Sequence, residues 1–297
     1  MKNAELVDAD IVDYVKQVTF VIPVFNGEMS ISRTIESVSR LGNYRIIVID
    51  DGSTDNTSLL VESLGIECYR IANSGAYNAR AYGVSLVLSE FTVLLDADDL
   101  LIGDFSHALA FLDRCKSAIA VIGSYISTGS HFAKRNSQNI SKLNLYTMIN
   151  RQFGYAPMSA SIWRTAGLTK AIQDLIPPMA LRKSDDYELF IRALMHGEIL
   201  TCDHLIMNYS MVGGKSTLNF EESVQSSIDI AMYYGKIIGL EVLPLKKKTK
   251  IALATFRRLQ ILLYSNGRLK VYLHLLMSMT DLYYYLVARN YIRNNQS

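Results

Sequence analysis

Two short stretches of this 297-residue chain carry the residue types most able to do chemistry, Asp96-Ala97-Asp98-Asp99 and Ser184-Asp185-Asp186. Three carboxylates within four positions repel one another unless a cation sits among them. A hard divalent cation, which takes oxygen ligands and leaves room for phosphate oxygens, is the natural counter-charge. The plainer alternative is a solvated acidic turn capping the next helix. The second stretch puts acids in the first turn of a helix, where they stabilise the helix whatever else they do.

The elements that must position these acids follow from the apolar pattern. The acids at 96–99 end the run Phe91-Thr92-Val93-Leu94-Leu95, which suits a strand covered on both faces. Residues 18–24, 45–49 and 66–71 read as three earlier strands, with Pro23 suited to a strand end because it lacks a ladder donor. Helices are expected over about 29–41, through Leu59, Leu60 and Leu64, and across Ala79-Arg80-Ala81-Tyr82-Gly83. Strand and helix alternating at this spacing give a parallel sheet with right-handed crossovers. Ligands of such sheets bind at the carboxyl ends of the strands. Those ends carry Pro23-Val24-Phe25-Asn26, Asp50-Asp51 and Asp96 to Asp99. A G-x-G-x-x-G dinucleotide loop and a P-loop are both missing after the first strand, where only Asn26-Gly27-Glu28 stands.

Five blocks in this order carry a resemblance: Val21-Ile22-Pro23-Val24-Phe25-Asn26-Gly27, Ile47-Val48-Ile49-Asp50-Asp51-Gly52-Ser53-Thr54-Asp55, Asn73-x-Gly75, Ala79-Arg80-x-x-Gly83 and Leu95-Asp96-Ala97-Asp98-Asp99. Over about residues 18–210 the chain resembles the inverting family 2 glycosyltransferases of bacterial polysaccharide biosynthesis. The resemblance implies an α/β GT-A fold, the nucleotide-diphospho-sugar transferase architecture. That is a Rossmann-like, mixed but mainly parallel sheet flanked by helices, here with a C-terminal helical extension. It implies that Pro23, Phe25, Asp51, Asn73, Arg80 and Asp96 hold the nucleotide-sugar. Phe25 would stack on a pyrimidine ring, Asp51 would accept a hydrogen bond from it, and Arg80 would lie near base or phosphate. Asp98 would bind a divalent cation, Mn²⁺ or Mg²⁺, with Asp96 facing the ribose or supporting the metal, and Asp99 structural. Asp186 would be the catalytic base, with Asp185 the alternative, since Asp185 stands where the family often has Glu. A base of this kind removes the acceptor hydroxyl proton as the oxygen attacks the anomeric carbon. The helix dipole at Asp186 favours the ionised form.

The implied organisation is an arm over 1–17 and a catalytic domain over 18–244. The latter divides into a nucleotide-sugar half over about 18–123 and an acceptor half over about 124–244. A tail over 245–297 follows. In the acceptor half, residues 117–123 read as a further buried strand and the Ser/Thr/Asn/Gly-rich residues 124–141 as loop. Residues 155–164 resemble an acceptor-lining segment. Residues 206–217, including Lys215, occupy the place of a loop that closes over the donor.

Charge separates the tail from what precedes it. Residues 245–297 hold ten Lys/Arg against the single acid Asp281, a net of +9 in a chain of net +2. An interfacial pair of helices lying on anionic lipid fits this composition. A helical hairpin packed on the catalytic domain, or a homodimer contact, is the competing explanation. Nucleic acid is not expected as a partner, because the tail's aromatics follow an apolar helix rather than a stacking platform. Cys68, Cys115 and Cys202 form no C-x-x-C pair and indicate a reducing compartment. The acids near the start do not fit an export signal, so a cytoplasmic protein peripheral to the inner face of the membrane is expected. The expected activity is sugar transfer from a UDP-sugar or similar donor to a saccharide or lipid-linked acceptor. The competing reading is a glycosyltransferase-like domain that binds without turnover.

Overall fold

A computed structural model of the chain describes residues 17–103, 105–129, 132–136, 141–151, 157–179, 184–210, 220–240 and 242. The arm up to residue 16, Tyr155 and Ala156, Lys215 and the whole tail over 245–297 lie outside the described residues. The chain divides into two compact units, one of Met1–Gly129 with Ala133–Val242 and one of Ser130–Phe132 with Leu243–Ser297. The first contains every described residue except Phe132, and with them both acidic stretches.

The first half alternates as its apolar pattern requires: β1 (Val18–Val24), α1 (Ile31–Ser39), β2 (Arg45–Asp50), α2 (Thr57–Ser63), β3 (Glu67–Arg70), α3 (Ala76–Ser85) and β4 (Phe91–Leu94). Then come β5 (Leu100–Leu101), α4 (Ser106–Arg114), β6 (Ala118–Gly129), β7 (Phe132–Asn136), β8 (Ser141–Lys142) and α5 (Leu145–Arg151). A 3-10 turn (Met158–Ala160) leads into β9 (Ser161–Arg164), followed by α6 (Thr165–Ile172), α7 (Asp185–His196), β10 (Glu198–Ser210) and α8 (Phe220–Ile237).

The main sheet path runs β3-β2-β1-β4-β9-β6-β10-β5. Strands β1 to β4 are mutually parallel, and so are β6 and β10. Between the two parallel groups β9 runs antiparallel to both β4 and β6. The sheet is therefore mixed and mainly parallel, as the resemblance implies. Every residue of β1 and β4 is buried, Thr19 and Thr92 included, which is why both read as mainly apolar runs without polar alternation.

Two expectations from the acceptor half need correction. Residues 124–141 are not a continuous loop: β6 extends to Gly129 and β7 follows. The Ser/Thr/Asn content hides Tyr125, Ile126 and Thr128, residues that favour strands and here pair with β10 from Met207 to Ser210. Residues 161–164, read as lining an acceptor, are instead the interior strand β9, with Trp163 fully buried between β4 and β6.

The glycine of the Ala79-Arg80-x-x-Gly83 block has a packing cause. A Cβ on Gly83 would stand 2.3 Å from Val21 Cγ1 and 3.0 Å from Ile49 Cγ1, so glycine lets α3 lie close on β1 and β2. We expect Gly83→Val to lower stability by about 1–3 kcal/mol through overpacking. Equilibrium urea unfolding measures this, and an unchanged midpoint would contradict it.

Candidate active site

The carboxyl edge of β1 and β2 is built by two loops that hold each other. Asn26 takes a left-handed conformation, φ 53°. There its N–H donates to Ser53 Oγ at 2.8 Å and its Oδ1 accepts from Thr54 N–H at 2.7 Å. Gly27 N–H donates to Thr57 Oγ1 at 2.9 Å, and Glu28 N–H to Asp55 Oδ2 at 3.2 Å. The Asn26-Gly27 and Gly52-Ser53-Thr54-Asp55 blocks are thus one interlocked rim. Pro23 is buried near the end of β1, and Phe25 stands on the rim with 39% of its surface exposed.

Asp50 and Asp51 are both buried and turn inward. Asp50 Oδ1 accepts from Ser53 N–H at 2.8 Å and closes its own turn. Asp51 holds the next loop: Oδ1 accepts from Ser74 N–H at 2.7 Å and from Ser74 Oγ at 3.2 Å, and Oδ2 accepts from Gly75 N–H at 2.9 Å. The Asn73-x-Gly75 block is where it is because Asp51 fixes it. Asn73 itself is exposed at the loop's tip.

Beyond β4 the three acids of 96–99 have three different environments. Asp99 is 1% exposed and accepts from Ser159 Oγ at 2.6 Å. Ser159 Oγ in turn accepts from Asp96 N–H at 3.0 Å, which ties the acidic turn to the 3-10 turn before β9. Asp96 is partly exposed and Asp98 exposed. Arg80, nearly buried on α3, supplies the cation that the acidic cluster requires. Its Nη2 donates to Asp96 Oδ1 at 2.5 Å and its Nη1 to Asp185 Oδ2. One guanidinium, 105 positions from Asp185 in sequence, therefore joins the exit of β4 to the start of α7. Burial alone would lower the Arg80 pKa, but Asp185 and Asp96 more than offset it, so the group stays charged.

Asp186 is next to this clamp. Its Oδ1 accepts from Tyr187 N–H at 2.7 Å. Burial, and then the charge of Asp185, push its pKa up to about 6, against the pull of Arg80 and of the Tyr187 N–H. Burial and a like charge thus act against the helix dipole, which favours the ionised form, and at a pKa of about 6 the carboxyl is still mainly ionised at neutral pH. Tyr187, fully buried, fixes the helix behind the acids by donating its hydroxyl to the carbonyls of Met148 at 2.9 Å and Ile149 at 3.2 Å.

The fold brings Asp96, Arg80, Asp185 and Asp186 together. It gives Asp51 and Asp99 internal partners and leaves Phe25, Asn73 and Asp98 at the accessible edge. Sequence reasoning misses Ser159 and Tyr187, since the bonds that matter cross 60 and 39 positions. Among the described residues no group of three or more His, Cys, Asp or Glu side chains could hold a metal ion.

A family model described as Glycosyl transferase family 2 matches residues 19–188, which include all four of these residues. Glycosyltransferase GlyG of Streptococcus pneumoniae is 26% identical over 151 residues, 46% of this chain and 50% of that protein. An uncharacterized protein of Methanocaldococcus jannaschii is 34% identical over 86 residues, 28% of this chain and 35% of that protein. The matches thus span half or less of these curated relatives. Among solved structures, S. aureus TarS 1-349 in complex with UDP-GlcNAc superposes with a TM-score of 0.59 at 19% identity, covering 79% of this chain and 69% of that one. The same protein in complex with UDP gives 0.57 at 20% identity, covering 85% and 73%. These likenesses are of fold, and the fold is the GT-A architecture. With more than half of its length matched by the family model, the chain belongs to glycosyl transferase family 2.

Proposed function

We propose that the chain transfers a sugar, with inversion, from a nucleotide-diphospho-sugar to a saccharide or lipid-linked acceptor in surface polysaccharide assembly, and that a UDP-sugar is the donor. One observation carries the reading: the Arg80 clamp sets Asp186, a carboxylate whose pKa lies near 6, beside the acidic exit of β4 at the ligand-binding edge of the sheet. A base with a pKa near the working pH is the kind an acceptor hydroxyl needs. The TarS complexes with UDP and UDP-GlcNAc support a UDP-sugar donor through likeness of fold.

In this reading Phe25 and Asn73 meet the nucleoside from the exposed rim. Asp51 supports them by holding the 73–75 turn, with one of its lone-pair sites left for a base N–H. Asp96 orients Arg80 and, through it, Asp185. Asp186 takes the acceptor proton, which leaves Asp185 as the charge that adjusts it. A divalent cation fits through Asp98, the exposed acid of the turn, in the mode where one or two carboxylates and substrate phosphates hold Mg²⁺. Asp96, paired with Arg80, would support that site rather than supply its main ligand. The cation would stabilise charge on the departing diphosphate. Among the described residues no helix is long and apolar enough to cross a membrane. The basic composition of 245–297 favours a membrane surface as its partner, and its apolar content is what a contact with a second copy of the chain would bury instead.

The test is cleavage of a panel of nucleotide-sugars by purified protein with Mg²⁺ or Mn²⁺ and with chelator, beside Asp98→Ala. We expect one donor to be cleaved, chelator to abolish cleavage, and Asp98→Ala to raise the metal concentration required at least tenfold. Donor binding without turnover, even with membrane-extracted acceptors, would instead favour a binding domain.

A further inference from the structure

We infer that α8, which lies beyond the family-matched segment, is a positioning element for the base, and that Ser227 is the residue through which it acts. The inference rests on Asp186 being that base. Its starting point is Ser184, the residue before the acidic turn of α7.

Ser184 breaks two local rules at once. A serine at a helix N-cap ordinarily takes an extended conformation and accepts from a backbone N–H of the first turn through its hydroxyl. Ser184 makes no such cap, and its backbone is left-handed, φ 62° and ψ 26°, a region that non-glycine residues seldom visit. Such a conformation persists only where the surroundings impose it, and it clusters where geometry matters to function. Here the surroundings are identifiable: Ser184 Oγ and Ser227 Oγ are 2.8 Å apart, and Ser227 is 3% exposed.

The same helix grips α7 and its approach at three further points. Tyr234 donates its hydroxyl to Glu188 Oε1 at 2.8 Å and accepts from Arg192 Nη1 at 2.8 Å. Glu188 Oε1 also accepts from Met179 N–H at 2.6 Å. Tyr233 donates to the Pro177 carbonyl at 3.1 Å. The tyrosines hold the body of α7 and the chain at Pro177, and Ser227 holds Ser184, the residue directly before Asp185 and Asp186. If that joint relaxes to an ordinary φ, the two acids rotate with it, and Asp186 is displaced from the position in which it reaches the acceptor hydroxyl. A displacement of about 1 Å caused by a residue remote from the chemistry can cost on the order of a hundredfold in rate. Donor contacts from the β1, β2 and β4 exits are untouched, and Arg80, the contact from α3, keeps its bond to Asp96.

The test compares wild type, Ser227→Ala, Ser184→Gly and the double variant in donor cleavage, with kcat, KM for the donor and thermal unfolding measured for each. Ser227→Ala should lower kcat by about tenfold or more with KM for the donor unchanged within about twofold. Glycine adopts positive φ about as readily as negative φ, so Ser184→Gly alone should keep most of the activity, and in the Ser227→Ala background it should recover most of the lost kcat. A Ser227→Ala enzyme with unchanged kcat, or one whose loss glycine at 184 does not recover, overturns the positioning role. Wild type that cleaves no donor would overturn the transferase reading on which the inference rests instead, so the two failures are told apart.

Discussion

Replacing Asp186 by asparagine lowers sugar transfer by about 10²–10⁴-fold, the range that a positioned general base contributes, and leaves donor affinity nearly unchanged. The carboxylate's role depends on its ionisation. With the pKa pushed up to about 6 by burial and by Asp185, the ionised fraction, and with it kcat/KM, rises as pH increases through that value and levels off above it. Calorimetric binding of the donor separates the two effects: unchanged affinity with lost turnover marks a residue that acts in the chemical step. A variant that retains more than a tenth of the activity would show that Asp186 is not the base.

Arg80→Gln carries the second large effect, because it strands two carboxylates. Breaking a buried ion pair from one side costs roughly 3–5 kcal/mol, and the lower end applies here because Asp96 is partly exposed. A loss of about 3 kcal/mol should be measurable by denaturant unfolding. The pH profile adds a signature that general destabilisation does not give. Arg80 pulls the Asp186 pKa down and Asp185 pushes it up. The acid limb of the rate profile should therefore move to higher pH in Arg80→Gln and to lower pH in Asp185→Asn. Shifts of the same sign in both variants would contradict the clamp as the group that adjusts the base.

The first half of the fold is legible in the sequence because β1, β2 and β4 are short, mainly apolar runs that lead into Asn26, Asp50 and Asp96, and α1 carries Ile31, Ile35 and Val38 at helical spacing. The edge holding Asp51 and Asp96 follows from that alternation alone. Side-chain destinations are not legible. Asp51 and Asp98 are the same residue type at similar strand exits, yet one is buried on the Ser74 and Gly75 amides and the other is exposed. The difference lies in which loop the fold brings opposite. Arg80 shows the same limit: the acids require a cation, and sequence spacing cannot say that α3 supplies one of the protein's own. In the second half, polar residues in β6 mask a strand, and the influence of α8 on α7 depends on pairs 43 and 46 positions apart.

The most direct test of inverting transfer with Asp186 as base is the anomeric configuration of the first product, followed by NMR during cleavage or transfer of an α-linked UDP-sugar. A single displacement assisted by one carboxylate gives the β-anomer as the first species, before mutarotation. First appearance of the α-anomer would require a different displacement and would contradict the account.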